Sequence, residues 1–100
     1  MIMDKRKYNI TTAKAAKPKT NYGKLIVDKL TEAGMSLSLV ERLLGYSDNK
    51  LQRMINGKTY INQKDAEAIG DLLGDNTLKD KILSMQSEYQ REIFLKQFEK

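Results

Sequence analysis

Residues 37–56 read LSLVERLLGYSDNKLQRMIN and predict two short helices joined by a tight turn. The apolar residues recur at helical spacing within each helix, and they are Val40, Leu43, Leu44, Leu51, Met54 and Ile55. Gly45 is expected to end the first helix, because glycine tolerates the left-handed backbone that often follows a helix. Tyr46 is expected to point inward after the turn, and Ser47 to cap the second helix. Two short helices at a steep angle are typical of the helix-turn-helix motif.

Helical patterns flank this stretch on both sides and predict an all-α chain of five helices. Asn21 can cap a first helix over residues 22–33, and Gly34 is expected to end it. The apolar stripe of this helix consists of Leu25, Ile26 and Leu30. Ser36 then caps the first helix of the pair.

Two more helices are predicted after the pair. Asn62 can cap a helix over residues 63–73, and Gly74 is expected to end it. Thr77 and Asp80 have the spacing of a capping box, which marks the start of a fifth helix.

The fifth helix carries more apolar surface than the core of a small domain requires. Its main apolar face consists of Leu78, Ile82, Met85, Tyr89 and Ile93, followed by a patch of Phe94 and Phe98. One interpretation is that the helix simply covers the core, which suits residues 78–85. A domain of 100 residues has limited room for the rest. The residues expected to contact a second chain or another partner are therefore Tyr89, Ile93, Phe94 and Phe98.

Positive charge is concentrated at the N-terminus. Residues 1–24 contain seven lysines and arginines and one aspartate, whereas the remainder contains 11 basic and 12 acidic residues. Residues 1–20 lack helical periodicity and predict a flexible basic arm, followed by a helical domain over residues 21–100. The candidate phosphate contacts in the arm are Lys14, Lys17 and Lys19. A solubilising tail without a partner is an equally open interpretation.

The composition excludes several classes of function. The chain has no cysteine and no histidine, which rules out disulfides, thiolate metal sites and the commonest general base. With no paired carboxylates beside a suitable base, we expect neither an enzyme nor a metal or cofactor site. No stretch approaches the roughly 20 apolar residues that span a bilayer, and the basic N-terminus lacks the apolar segment of a secretory signal. These features predict a cytoplasmic protein.

The second helix of the pair has a polar face that suits contact with DNA. Asparagine and glutamine pair with adenine and arginine with guanine, whereas lysine is better suited to phosphate. The candidates for base readout are Asn49, Gln52, Arg53 and Asn56. The candidates for helix capping or phosphate contact are Ser47, Asp48, Lys50 and Lys58. The alternative interpretation is an ordinary solvated face of a small helical bundle.

Four short motifs relate the chain to a known superfamily. They are Gly34-Met35-Ser36, Leu44-Gly45-Tyr46-Ser47, Ile55-Asn56-Gly57-Lys58 and, over residues 68–74, Ala-Ile-Gly-Asp-Leu-Leu-Gly. On these motifs, residues 22–74 resemble the five-helix helix-turn-helix domains of the Cro/C1 repressor (XRE) superfamily. Within it the chain is most similar to HigA-type antitoxins, on the basis of three segments. These segments are Ile55 to Lys58, Ile61-Asn62 and Met85-Gln86-Ser87-Glu88-Tyr89.

The resemblance implies a homodimer that binds palindromic operator DNA and, in antitoxins, a bound toxin that cleaves mRNA. Two residues depart from the superfamily's pattern, and a third, Asp48, lies near the DNA face with an unfavourable charge. Leu37 stands where a glutamine often contacts phosphate. Glu41 stands where alanine usually allows the helices to approach closely, so we expect Glu41 to tilt outward. Asp48 is mildly repulsive to phosphate, although it can read cytosine or help to cap the helix.

Two functional hypotheses follow from these patterns. The leading one is a dimeric DNA-binding regulator, either a repressor or the antitoxin of a toxin–antitoxin pair, whose helix over residues 48–56 enters the major groove. The other is a protein-interaction module, in which the helix pair is a scaffold and the arm or the fifth helix binds a toxin or another protein. A phage or plasmid repressor is a third possibility, close to the first in chemistry.

Overall fold

The computed structural model describes residues 17–98, which form five α-helices with no strand among them. The helices are α1 (Asn21–Glu32), α2 (Leu37–Leu44), α3 (Lys50–Ile55), α4 (Gln63–Leu73) and α5 (Leu78–Lys96). The expectation of an all-α chain with five helices is confirmed for this part of the chain. The predicted arm before residue 17, including Lys14, lies outside the described residues.

One hydrophobic core joins all five helices. Its buried side chains are Tyr22, Ile26, Val27, Leu30, Val40, Leu51, Met54, Ile55, Ile61, Ala66, Ile69, Leu78 and Ile82. The helix α5 packs against α4 and α1, and α3 packs against α1 and α2. Leu43, which the sequence pattern placed among the apolar positions of α2, is 55% exposed.

Local sequence signals set several helix ends as expected. The Ser36 side chain accepts a hydrogen bond from the Leu39 N–H at 3.0 Å and caps α2. Asn62 does the same for α4, accepting from the Asp65 N–H at 2.8 Å. Gly45 follows α2 with a φ of 71°, the left-handed conformation that glycine adopts at little cost.

Three other caps differ from the sequence-based predictions. Thr20, not Asn21, caps α1, because its hydroxyl accepts from the Gly23 N–H at 2.8 Å. Ser47 does not cap α3, whose N-cap position is Asn49. At the start of α5 the Thr77 side chain makes no cap bond with the helix; its hydroxyl instead donates to the Asp75 carboxylate at 2.7 Å.

Thr20, the last residue of the predicted arm, packs on the helical domain. Thr20 is only 4% exposed, and its hydroxyl donates to the Ile55 carbonyl while also capping α1. The end of the expected arm is therefore held against the folded domain.

A buried glutamine on α5 binds the segment that connects α3 to α4. Gln86 accepts from the Ile61 N–H and donates to the Ile61 carbonyl, both at 2.8 Å. This reciprocal pair satisfies both backbone groups of a buried residue that has no helical partner. None of the helices described, including the 19-residue α5, is long and apolar enough to cross a membrane.

Candidate nucleic-acid interface

The short helix α3 has one face in the core and one in solvent. Its side chains Leu51, Met54 and Ile55 are fully buried, because they recur every three or four residues. The polar side chains expected on the opposite face are exposed at Ser47, Asp48, Asn49, Gln52 and Arg53, and Lys58 is exposed just beyond the helix. Most of the candidate DNA-contacting residues are therefore exposed, on or beside the solvent-facing side of α3.

Asn49 begins α3 in an unusual conformation. Its φ of 67° and ψ of 9° are left-handed, and its side chain makes no cap hydrogen bond. Asparagine is one of the few residues that adopt this conformation readily. The Asn49 amide group is consequently left available at the exposed start of the helix.

Glu41 supplies the cap that neither Ser47 nor Asn49 provides. Its side chain points inward, with the residue only 9% exposed, and accepts a hydrogen bond from the Leu51 N–H at 2.9 Å. The expectation that Glu41 tilts outward is therefore wrong. The reason is that the first turn of α3 contains amide groups without helical partners, and a carboxylate is favourable at a helix N-terminus.

Lys50 is engaged within the chain. Its Nζ atom lies 4.2 Å from the centroid of the Tyr46 ring and 3.9 Å from Oδ1 of Asp65. The Tyr46 hydroxyl donates to the same Asp65 oxygen at 2.8 Å, in line with its expected inward orientation. Burial is the main cause that raises the pKa of Tyr46 above its ordinary value, and the hydrogen bond to Asp65 raises it further. These contacts join the start of α3 to α4, so a phosphate would compete with Asp65 for the Lys50 ammonium group.

The C-terminal end of α3 is joined to residues 17–20, here termed the basic strap. The Lys19 N–H donates to Oδ1 of Asn56 at 3.0 Å. The neighbouring Thr20 hydroxyl donates to the Ile55 carbonyl at 2.7 Å. The exposed cationic side chains of the strap and of this end of α3 are Lys17, Lys19, Arg53 and Lys58. Asn56, expected to read bases, thus has its side-chain oxygen bonded to the strap.

The four residues expected to contact a partner have different environments. Tyr89 is half-buried and packs edge-to-face on Tyr22, with ring centroids 5.6 Å apart, so its ring supports the domain's own core. In contrast, Ile93, Phe94 and Phe98 are 42%, 57% and 70% exposed. Of the four expected residues, only Ile93, Phe94 and Phe98 leave substantial apolar surface open to a partner.

Two polar residues of α2 escaped the sequence-based interpretation. Ser38 and Arg42 are both exposed and lie four residues apart, which places them on the same face of the helix. With Tyr46 and Asp48 they border an open polar hollow of about 360 Å³ next to the start of α3. Their i, i+4 spacing was the signal in the sequence that would have placed them together on the exposed face of α2.

The surface assembled here combines amide, guanidinium and ammonium groups around one exposed helix. Among residues 17–98, no group of acidic side chains is arranged to hold a metal ion. The side chains are suited to hydrogen bonding with base edges and to pairing with phosphates. No protein-family model, curated protein or solved structure matches the chain.

Proposed function

We propose that this protein is a sequence-specific DNA-binding regulator, a repressor with a Cro/C1-type helix-turn-helix formed by α2 and α3. The proposal rests on one observation: α3 is held in place along its buried face and at both of its ends. Glu41 holds its start, and Thr20 holds its end. A six-residue helix held in this way presents a rigid polar face, as a recognition helix in the major groove requires.

The roles of the exposed side chains follow from their chemistry. Gln52 and Asn49 each offer an amide that pairs bidentately with adenine, and Arg53 offers a fork that pairs with guanine. Lys58 and the strap lysines contact phosphates, because their flexible ammonium groups are point charges without a fixed fork. Asp48 is limited to accepting a hydrogen bond from cytosine or a backbone amide.

The regulator acts as a homodimer. Two copies related by a two-fold axis place two α3 helices about one helical turn of DNA apart, which is the spacing of a palindromic operator. The exposed end of α5 supports this arrangement, because Phe94 and Phe98 stack edge-to-face 4.9 Å apart while both remain more than half exposed.

Selection from a randomised duplex library, followed by titration in fluorescence anisotropy, tests the proposal. The wild-type protein is expected to enrich a palindromic sequence and to bind it far more tightly than a scrambled duplex. Arg53→Ala should remove the preference at one base pair per half-site, with a loss of about 1–3 kcal/mol in binding. Lys81→Ala makes the same change in net charge on an exposed site of α5 and is the matched control. Absence of any enriched sequence, or unchanged specificity in Arg53→Ala, would refute the proposal.

A toxin-binding role is the second candidate, favoured by the same apolar end of α5. Ile93 and Leu95 are 42% and 51% exposed beside the two phenylalanines, which is more apolar surface than a helix end in solvent needs. An antitoxin would both bind DNA and cover the toxin. Purification of the protein from its native host discriminates, since a stoichiometric protein partner without DNA protection supports the interaction module over the regulator.

A further inference from the structure

The basic strap is fixed to α3 at two consecutive residues. The Lys19 N–H donates to Asn56 Oδ1 at 3.0 Å, across 37 positions of sequence. The Thr20 hydroxyl donates to the Ile55 carbonyl at 2.7 Å. The Ile55 carbonyl belongs to the last turn of α3, where backbone carbonyls lack helical partners, and Asn56 is the C-cap residue that follows it. The strap therefore runs past the C-terminal end of α3 in a defined position.

The position of the strap is further constrained by close packing. Thr20 is 4% exposed and also accepts from the Gly23 N–H, so it cannot shift without uncapping α1. A Cβ atom on Gly57 would lie only 3.1 Å from the Thr20 methyl group and from the Tyr89 hydroxyl. The strap, the end of α3 and α5 thus meet with no spare space.

The strap and the end of α3 carry charges of one sign. The strap contributes Lys17 and Lys19, and the turn after α3 contributes Lys58, whose N–H donates to the Arg53 carbonyl at 2.9 Å. Neither the strap nor residues 53–58 contain an acidic side chain. The junction therefore forms a positive edge beside α3, built from two segments that are distant in sequence.

Asn56 has a different environment from Gln52, although both lie on the polar side of α3. Asn56 is half-buried, whereas Gln52 is exposed. Bidentate pairing with adenine needs both the oxygen and the nitrogen of the amide directed at the base. The oxygen of Asn56 is instead directed at the strap, which makes Asn56 a poor base reader.

We propose that Asn56 is a positioning residue that holds the basic strap in register with α3, so that Lys17 and Lys19 contact duplex phosphates while α3 reads the bases. This inference rests on the proposed function and assigns Asn56 a role different from base readout. It divides the surface into a reading part, Asn49 to Arg53, and a phosphate-binding part that Asn56 holds in place. Phosphate contacts fix the register of a protein on DNA without carrying sequence information.

The test is a mutant cycle between Asn56 and the strap lysines, read out by the salt dependence of DNA binding. The variants are Asn56→Ala, Lys17→Ala/Lys19→Ala and their combination, titrated against the selected duplex and a mixed-sequence duplex. Removing two phosphate contacts should reduce the slope of log K against log salt by up to about 2. In the Asn56→Ala background, the lysine substitutions should reduce the slope by less than half as much. Asn56→Ala alone should weaken binding roughly 3- to 10-fold on all duplexes alike.

Two further variants separate positioning from base reading and from misfolding. Asn56→Asp keeps an oxygen acceptor for the Lys19 N–H, so the contribution of the two lysines to the salt slope should return. Gln52→Ala is the comparison for a base reader, and its loss should depend on the base pair at one position.

The opposite results would overturn the inference. They are additive effects of Asn56 and the lysines on the salt slope, or a loss in Asn56→Ala confined to one base pair. If the wild-type protein binds duplexes without sequence preference, the proposed function fails, but the mixed-sequence duplex still measures the coupling between Asn56 and the strap. A wild-type protein that binds no duplex refutes both.

Discussion

Glu41 turns its carboxylate into the domain because the first turn of α3 needs an acceptor there. Leu51 is buried, and its N–H lies in the first turn of α3, where amides have no helical partner; Glu41 Oε2 accepts from it at 2.9 Å. The partly positive N-terminus of α3 also favours a negative group at this position. One side chain of α2 thereby caps the neighbouring helix across the turn.

Replacing Glu41 should therefore destabilise the domain through the unpaired amide. Glu41→Ala is expected to lower the free energy of unfolding by about 1–3 kcal/mol, because a buried donor loses its acceptor. Glu41→Gln retains an oxygen acceptor and should cost less. Urea denaturation measures both, with Glu67→Ala on the exposed face of α4 as the control. An Ala variant as stable as the wild type would show that the helices close up and that another group caps α3.

Tyr46 contributes to the stability of the folded domain, and this contribution should be lost at alkaline pH. Burial and the bond to Asp65 raise the pKa of its hydroxyl in the folded state. Its contribution to the free energy of unfolding is therefore fully present while the pH is below about 10, the pKa of tyrosine in the unfolded chain. The contribution is lost as the pH rises above that value. The difference in unfolding free energy between wild type and Tyr46→Phe should shrink from neutral pH to about pH 11.

The control for Tyr46 is a tyrosine without these contacts. Tyr60 is 58% exposed, so Tyr60→Phe removes a hydroxyl from a ring on the surface. Urea denaturation across the alkaline range compares the two variants with the wild type. A Tyr60→Phe difference that shrinks as steeply as that of Tyr46→Phe would contradict a specific role for the bond to Asp65.

The hydrogen-bond partners of single side chains were predicted from the sequence only where the partner is local. Ser36 and Asn62 each cap an amide three residues ahead, a contact that the sequence order itself specifies. Glu41 and Asn56 bond to partners 10 and 37 positions away. Those contacts depend on how helices pack, which residue types and spacing alone do not determine. The left-handed Asn49 displaced the expected cap at Ser47 for the same reason, since its conformation serves the turn between two packed helices.

At the scale of elements, α3 is too short to be stable alone. Isolated helices below about 12–15 residues are marginal in water, and α3 has six. Its existence was nevertheless predictable, because Leu51, Met54 and Ile55 have helical spacing. Its start was predicted two residues early, since Asp48 and Asn49 precede the helix, and its end one residue late, since Asn56 is the C-cap.

The close approach of α1 to the end of α3 predicts a strong effect at Gly23. A Cβ atom there would overlap the Ile55 carbonyl oxygen and lie 2.7 Å from the Thr20 hydroxyl. Although replacing glycine by alanine within a helix normally stabilises it by up to about 1 kcal/mol, Gly23→Ala should destabilise the domain by about 2 kcal/mol or more, because backbone must move.

Gly70 is the matched position, because it is also a buried glycine within a helix. The nearest atom to an added Cβ is the Asp75 carbonyl oxygen at 3.1 Å, and the next is at 3.6 Å. A small adjustment relieves that contact, so Gly70→Ala should stay within about 1 kcal/mol of the wild type. Thermal unfolding compares the two variants, and a Gly23→Ala loss as small as that expected for Gly70→Ala would show that α1 and α3 separate at little cost.

For the whole molecule, the surface left open to a partner depends on where the hydrophobic core ends along α5. Gln86 is the last buried residue of that helix, and Tyr89 is the last that is half-buried. Residues 90–98 are all exposed, and at about 1.5 Å per residue they extend more than 10 Å along the helix direction. The sequence pattern predicted the surplus of apolar surface correctly. It also assigned Tyr89 to a partner, because helical spacing does not reveal the contact of Tyr89 with the Tyr22 ring, 67 positions away.

This exposed end of α5 should control the oligomeric state. Replacing Phe94 and Phe98 by serine removes the two largest apolar side chains of the patch, so the proposed dimer should dissociate at concentrations where the wild type associates. Leu43→Ser is the control, since Leu43 is 55% exposed on α2, close to the 57% of Phe94. Sedimentation velocity over a range of concentrations measures association, and circular dichroism verifies that the helices remain. Because a monomer carries a single α3, the double serine variant should also lose its dependence on half-site spacing while each half-site keeps its base preference. A wild type that sediments as a monomer at the concentrations used for DNA binding would contradict the dimer proposed through this end of α5.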